Sequence, residues 1–353
     1  MGALSGLRIV EFGGIGPAPF AGMMLADHGA EVIRIDRPGE PFAPHSLARN
    51  RRAVTIDLKS AEGAATARKL CGTADGLIEG FRPGVMERLG LGPDVLLSDN
   101  SKLVYGRMTG WGQDGPLAQA PGHDINYIAV SGVLHGIGHP GGRPVAPVNY
   151  VGDFGGGGML LAFGMVSALL AVKMGAPGQV VDAAMTDGSA LLAAMSWGFK
   201  AAGMWADGPG ATILGGAAPF YRTYTCSDGR FVAVGAIEPQ FWTALLAGLG
   251  LADDPDFEQQ RNPAGWPGQC ARLEAIFATR ARDDWAAHFA PEACVSPVLT
   301  FDEAAAHPHN VARGTFGAGP MPAPRFSATP AADPRRSTAG EATEAVLAEL
   351  RET

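Results

Sequence analysis

Short apolar runs alternate with longer, partly apolar stretches through the first third of the chain. Leu7-Arg8-Ile9-Val10-Glu11-Phe12 reads as a strand, followed by a glycine turn and a helix to about His28. Glu31 to Asp36 and Ala53 to Leu58 read as the next strands, and Ser60 caps a helix to about Thr73. Gly76 to Phe81 is a short strand, Val85 to Leu89 a helical turn, and Leu103 to Met108 another strand. Strands alternating with helices predict an α/β fold with a largely parallel sheet and ligands at the C-terminal strand ends. Helices dominate from Asp124 to about Met204, interrupted by a strand at Gln179 to Ala183. The glycine-rich run Gly208 to Ala218 reads as a linker. A second block begins with strands at Tyr221 to Thr225 and Phe231 to Ala236 around the turn Cys226-Ser227-Asp228-Gly229-Arg230. Its helices fall at about 240–248, 271–279 and 283–289. Past Pro308 the chain is rich in Pro, Ala and Gly, with one more helix at 341–351.

One apolar segment raises a membrane question, because Phe154 to Val172 carries no charge over 19 residues. Four of these are glycines near its start, and Met159 to Val172 is too short to span, so a buried core helix is expected and no membrane span. The 353 residues suit two domains. A net charge of −8 argues against general nucleic-acid binding, which needs a basic face. Cys71, Cys226, Cys270 and Cys294 form no CxxC pair. With no secretory leader, myristoylation pattern or peroxisomal tail in this sequence, they are expected to be reduced thiols of a cytoplasmic protein.

Several motifs are weak. Gly13-Gly14-Ile15-Gly16 with Asp36 approaches a dinucleotide fingerprint, but Pro19 stands where the third glycine belongs. Pro17 and Pro19 also remove two backbone donors that a pyrophosphate would use. His135 with His139, and His307 with His309, lack the ligand spacing of a metal site. There is no Gly-x-Ser-x-Gly elbow. The basic cluster is more informative. Arg34, Arg37, Arg49, Arg51 and Arg52 fall within 19 residues, and Arg82 and Arg88 follow. Clustered arginines at strand ends hold polyphosphates by bidentate bonds, or pair internally with Asp36, Glu40 and Asp57; composition leaves both readings open.

The stretch Pro121 to Gly158 concentrates ionisable groups beside glycine. It holds Pro121-Gly122-His123-Asp124-Ile125-Asn126-Tyr127 and Asn149-Tyr150-Val151-Gly152-Asp153-Phe154, then four glycines. Each half sits at the expected start of an apolar helix, where free N–H groups and the dipole favour negative charge. A His at one end and an Asp at the other suit proton transfer around a developing anion.

Taken together, several stretches resemble the class III CoA-transferase family, and within it the α-methylacyl-CoA racemases. They are Leu7 to Phe12, Glu31 to Pro38, Asn50-Arg51-Arg52, Arg82 to Gly92, Met108 to Pro116, His123 to Tyr127, Gly178 to Gly188 and Gly235 to Trp242. The resemblance implies a large Rossmann-like α/β domain over 1–187, completed by 310–353, a linker over 188–218 and a small α+β domain over 219–309. It also implies an interlocked homodimer with an active site shared between chains. The racemase pattern makes His123 and Asp153 opposing acid/base residues that interconvert (2R)- and (2S)-2-methylacyl-CoA thioesters through an enolate. Asp124 then supplies a backbone donor for the enolate oxygen, Asn149 lies beside Asp153, and the partner subunit's Glu238 orients His123. CoA contacts are implied for Arg37, Arg49, Arg52, Ala53, Ile56, Arg88, Gly122 and Tyr127. The glycines after Asp153 would admit the thioester close to the backbone. CoA is part of the substrate, and neither a metal nor another cofactor is expected. The alternatives are a CoA-transferase using Asp124 as nucleophile and a non-catalytic acyl-CoA-binding protein.

Overall fold

The computed structural model describes residues 1–39 and 45–352. The chain divides into two compact units, one of Met1–Ser131, Pro147–Ala194 and Gly314–Thr353, the other of Gly132–Ala146 and Met195–Arg313. The residues expected as a linker, 188–218, are split between them. The loop 132–146 joins the second unit, where Gly210 N–H donates to the Gly136 carbonyl at 3.2 Å.

The first unit is built on six parallel strands: β1 (Arg8–Phe12), β2 (Glu31–Asp36), β3 (Arg51–Thr55), β4 (Gly76–Glu79), β5 (Val104–Thr109) and β6 (Gln179–Ala184). Their order, β3-β2-β1-β4-β5-β6, is that of a doubly wound sheet. Both faces are covered. Val10, Phe12, Ile33 and Leu77 pack against Leu70, Leu96, Val346 and Leu350, so the helices Ala61–Gly72, Pro93–Asp99 and Thr343–Glu352 close one side. Ile9, Val32 and Ile78 meet Leu25, Leu161 and Met165 of Pro17–Asp27 and Leu160–Lys173 on the other. Ser60 caps its helix as expected, its Oγ accepting from Gly63 N–H at 3.0 Å.

β3 starts at Arg51, two residues before the apolar run that predicted it. Arg51 pairs with Val32 in register, and its side chain is fully buried against Glu11 at 2.9 Å. Arg34 reaches the other Glu11 oxygen at 2.6 Å. A buried carboxylate shared by two guanidiniums is tolerable only because each charge is paired and hydrogen-bonded.

The expected buried core helix needs correction. Leu161, Ala162, Met165 and Leu169 are buried, but Phe163 is 71% and Leu170 59% exposed. The continuous segment Tyr150–Lys173 is 24 residues long and holds an 18-residue window of mean hydropathy 1.8, so by length and composition alone it passes for a membrane span, as core helices also do. Of that window 44% is buried, because one side packs on the sheet.

The second unit carries an antiparallel sheet of β7 (Tyr221–Thr225), β8 (Phe231–Gly235) and β9 (Val295–Pro297). Tyr224, Val232 and Val234 pack on Trp242, Leu245, Phe277 and Trp285 of the helices Pro239–Leu249, Trp266–Phe277 and Arg282–His288. β9 has no counterpart in the sequence reading; three residues are too few for a period-2 signal.

Candidate active site

Just beyond β5 the chain is shaped around Tyr127. A Cβ at Gly110 would lie 2.1 Å from the Tyr127 ring, and one at Gly122 2.7 Å away. Trp111 meets the same ring edge-on at 4.8 Å. These glycines let the helix Asp124–Val130 seat Tyr127 in the core, 7% exposed. His123 is the N-cap in extended conformation, and its N–H donates to Asn126 Oδ1 at 3.0 Å. Its ring is exposed. The Asp124 N–H, at the first helical position, has no acceptor among the described residues. The Asp124 carboxylate is turned inward, 6% exposed, and its Oδ2 accepts from Asp153 N–H at 2.7 Å.

That bond joins the two halves of the predicted stretch. Asp153 lies in a ten-residue π-helix, Tyr150–Met159, continuous with Leu160–Lys173. π-turns are rare and tend to mark functional positions, since the widened turn re-aims side chains. Asn149 Nδ2 donates to Asp153 Oδ2 at 3.0 Å. The same carboxylate faces Gly16, where a Cβ would lie 3.2 Å from Oδ2. Gly16 has φ +69°, so that position is doubly suited to glycine. Burial and the charge of Asp124 hold the Asp153 carboxyl above the ordinary carboxylate range, while Asn149 and His123 pull it down. Burial, with help from Asp153, likewise pushes up the Tyr127 hydroxyl.

Three of the glycines after Asp153 have a packing role. Cβ atoms at Gly156, Gly157 and Gly158 would lie 2.6 Å from Ser189 N, 2.9 Å from Met185 Cγ and 2.7 Å from Phe20 Cδ1. They let the π-helix press against Pro17–Asp27 and Met185–Leu192.

The expected CoA residues separate by burial. Arg49 makes two-pronged contact with Asp27, the shorter at 2.6 Å, and its third nitrogen donates to the Pro320 carbonyl at 2.5 Å. Arg52 is held by Glu31 and by Glu349, the latter at 2.5 Å. Internal pairing thus occupies Arg34, Arg49, Arg51 and Arg52. Ala53 and Ile56 are buried in the core of the sheet. Arg37, Arg82 and Arg88 are exposed and make no ion pair among the described residues. Arg37 lies over the Phe81 ring at 5.5 Å.

The sequence reading missed a buried device beneath this loop. Arg107 donates to Glu79 at 3.0 Å and to Glu87 at 2.9 Å, and Glu79 also accepts from Phe81 N–H at 2.7 Å. Together they fix the segment carrying Arg82 and Arg88. Burial pushes Glu79 up to about 7 against the pull of Phe81 N–H and Arg107. Its only sequence signal was a charge inside an apolar strand.

In the second unit, Glu238 is the exposed N-cap of Pro239–Leu249 and makes no ion pair among the described residues. An open cavity of about 870 Å³ in that unit, lined by Arg222, Thr223, Cys270 and Glu274 among others, holds none of the expected site residues. Among the described residues, no three His, Cys, Asp or Glu side chains converge as a metal site.

The site thus lies in a doubly wound α/β unit, where one hydrogen bond ties the helix that starts at Asp124 to the π-helix that carries Asp153. The chain belongs to CoA-transferase family III, whose family model matches residues 4–341. It is 45% identical over 355 residues to the alpha-methylacyl-CoA racemase of Mus musculus, covering 98% of this chain and 93% of that one. With the alpha-methylacyl-CoA racemase of Homo sapiens it shares 44% identity over 357 residues, covering 99% and 93%. Its fold is similar to the crystal structure of a CAIB/BAIF family protein from Brucella suis, with a TM-score of 0.85, 27% identity and 99% of each chain covered.

Proposed function

We propose that this chain racemises 2-methylacyl-CoA thioesters by 1,1-proton transfer, with His123 and Asp153 as the opposing acid/base residues. The observation that carries the reading is the junction of the two helix starts, Asp153 N–H on Asp124 Oδ2, in a chain 45% identical to a racemase. One residue removes the α-proton of one epimer, leaving a planar enolate. The other, protonated, returns a proton to the opposite face, and the reverse direction exchanges their roles. The unengaged N–H of Asp124 is the donor for the enolate oxygen. The raised carboxyl of Asp153 suits a group that must act as both acid and base near neutral pH. The proton balance closes without a redox group, and CoA enters as part of the substrate. Of the arginines, the exposed Arg37 and Arg88 suit the CoA phosphates better than Arg49 and Arg52, which carboxylates already hold.

The working form in this reading is an interlocked homodimer in which the partner subunit's Glu238 orients His123. Large exposed apolar side chains support self-association: Phe163, Leu170, Leu191, Leu192 and Trp197 all exceed half exposure. Four unpaired cysteines agree with a cytoplasmic enzyme.

The competing reading is a CoA-transferase with Asp124 as nucleophile. Against it, the Asp124 carboxylate is buried and already accepts a backbone N–H. A single 2-methylacyl-CoA epimer incubated with the protein in deuterated water separates the two. Racemisation gives α-deuterium and the other epimer. A trapped adduct on Asp124, with no exchange in the absence of an acceptor acid, would establish the transferase instead.

A further inference from the structure

Glu238 is exposed, yet the backbone on either side of it is held by hydrogen bonds. β8 ends at Gly235, whose N–H donates to the Cys294 carbonyl at 2.9 Å. Ile237 N–H then turns back to the Gly235 carbonyl at 3.0 Å, making a tight bend about Ala236. That bend aims the carbonyls of Ala236 and Ile237 at one side chain, Gln260. Its Nε2 donates to the first at 3.1 Å and to the second at 3.0 Å, so both hydrogens of one amide clamp two successive carbonyls. Arg261 adds a bond from Nη2 to the Ile237 carbonyl at 2.8 Å, with its guanidinium over the Phe220 ring at 5.2 Å.

The clamp is itself anchored. Gln260 is 7% exposed, and its own carbonyl accepts from Trp266 Nε1 at 2.9 Å, inside the apolar core of the unit. On the far side, the Glu238 carbonyl accepts from Phe241 and Trp242, both at 3.0 Å. The backbone of Glu238 is therefore fixed before and after, while its carboxylate is left without a partner among the described residues.

We propose that Gln260 is a positioning residue that acts through Glu238, holding its carboxylate where His123 of the partner subunit needs it. This rests on the reading of Glu238 as the group that orients the histidine. Rigid support of this kind matters because a displacement of about 1 Å at a reacting group costs up to about 100-fold in rate.

The test is a double-mutant cycle on the full chain. Gln260→Met keeps the length and removes the donors; Glu238→Gln removes the carboxylate. Gln260→Met should lower kcat for racemisation about tenfold with KM for the acyl-CoA within about twofold, and have no further effect in the Glu238→Gln background. Unchanged kcat, or an equal loss in both backgrounds, would overturn the positioning role. Arg261→Met, at an exposed side chain, is the companion should Gln260→Met fold poorly. It should lower kcat about threefold by the same route, and no fall in kcat would count against the clamp. Full activity in Glu238→Gln alone would instead remove the role given to Glu238, a result separate from any failure of Gln260.

Discussion

The two helix starts of the site are built in opposite ways. Asp153 sits half-buried in a π-turn, with Asn149 on one oxygen, Gly16 alongside, and its backbone held by Asp124. His123 is exposed and caps an ordinary α-helix, its backbone N–H held by Asn126 Oδ1 and its carbonyl accepting from Asn126 and Tyr127 N–H. Asp153 is surrounded by groups of its own unit, whereas His123 stands exposed. In the proposed mechanism that asymmetry is useful, because two groups that swap acid and base roles need environments that can be set independently.

The largest effects should come from removing either group. Asp153→Asn and His123→Gln are each expected to lower racemisation by about three orders of magnitude, within the span for a lost acid/base residue. They should fail differently. With one base left, α-deuterium should enter only the epimer whose proton faces that base, and the two variants should label opposite epimers. Equal labelling of both epimers by either variant would mean that a single base serves both faces.

A second substitution addresses the bond that joins the halves. In Asp124→Asn the side-chain oxygen still accepts from Asp153 N–H, so the junction survives. Racemisation should fall about tenfold or less, in keeping with a changed charge beside Asp153 and intact geometry. A transferase nucleophile tolerates no such change. Complete loss of activity would restore Asp124 to the centre of the chemistry.

The same contrast shows what the residues disclosed in advance. The doubly wound sheet was legible because strands such as Glu31–Asp36 keep apolar runs, and because Ser60 and Pro17 stand at helix starts in the chain. That His123 and Asp153 stand near the beginnings of helices was legible through their flanking glycines. The π-helix was not, since its ten residues carry no pattern distinguishing a wide turn from an α-turn. Nor did the glycine run announce its purpose, because packing against Gly188 and Met185 depends on elements far along the chain. The arginines show the limit most sharply. Arg49, Arg51 and Arg52 look alike in sequence, yet Asp27, Glu11 and Glu349 claim them from 22, 40 and 297 residues away.

The finest difference between the helix starts is the Asn149 bond, and pH dependence should isolate it. Asn149 donates to Asp153 and so favours the ionised carboxylate, offsetting part of what burial and Asp124 impose. Asn149→Leu removes the donor without adding charge, so the Asp153 carboxyl should move further above the ordinary carboxylate range. In the direction where Asp153 is the base, it works only when ionised, and the acid limb of kcat should shift to higher pH. In the opposite direction Asp153 must start protonated, so the alkaline limb should shift the same way. On the acid side of that limb the loss in the first direction should be about fivefold, what one net hydrogen bond is worth, with little change well on its alkaline side. A shift in one direction of turnover only, or toward lower pH, would show that Asn149 acts on some group other than Asp153. The His123 side of the site should keep its response to Glu238→Gln undiminished in this variant, because among the described residues no bond of the Asn149 side chain reaches that helix start.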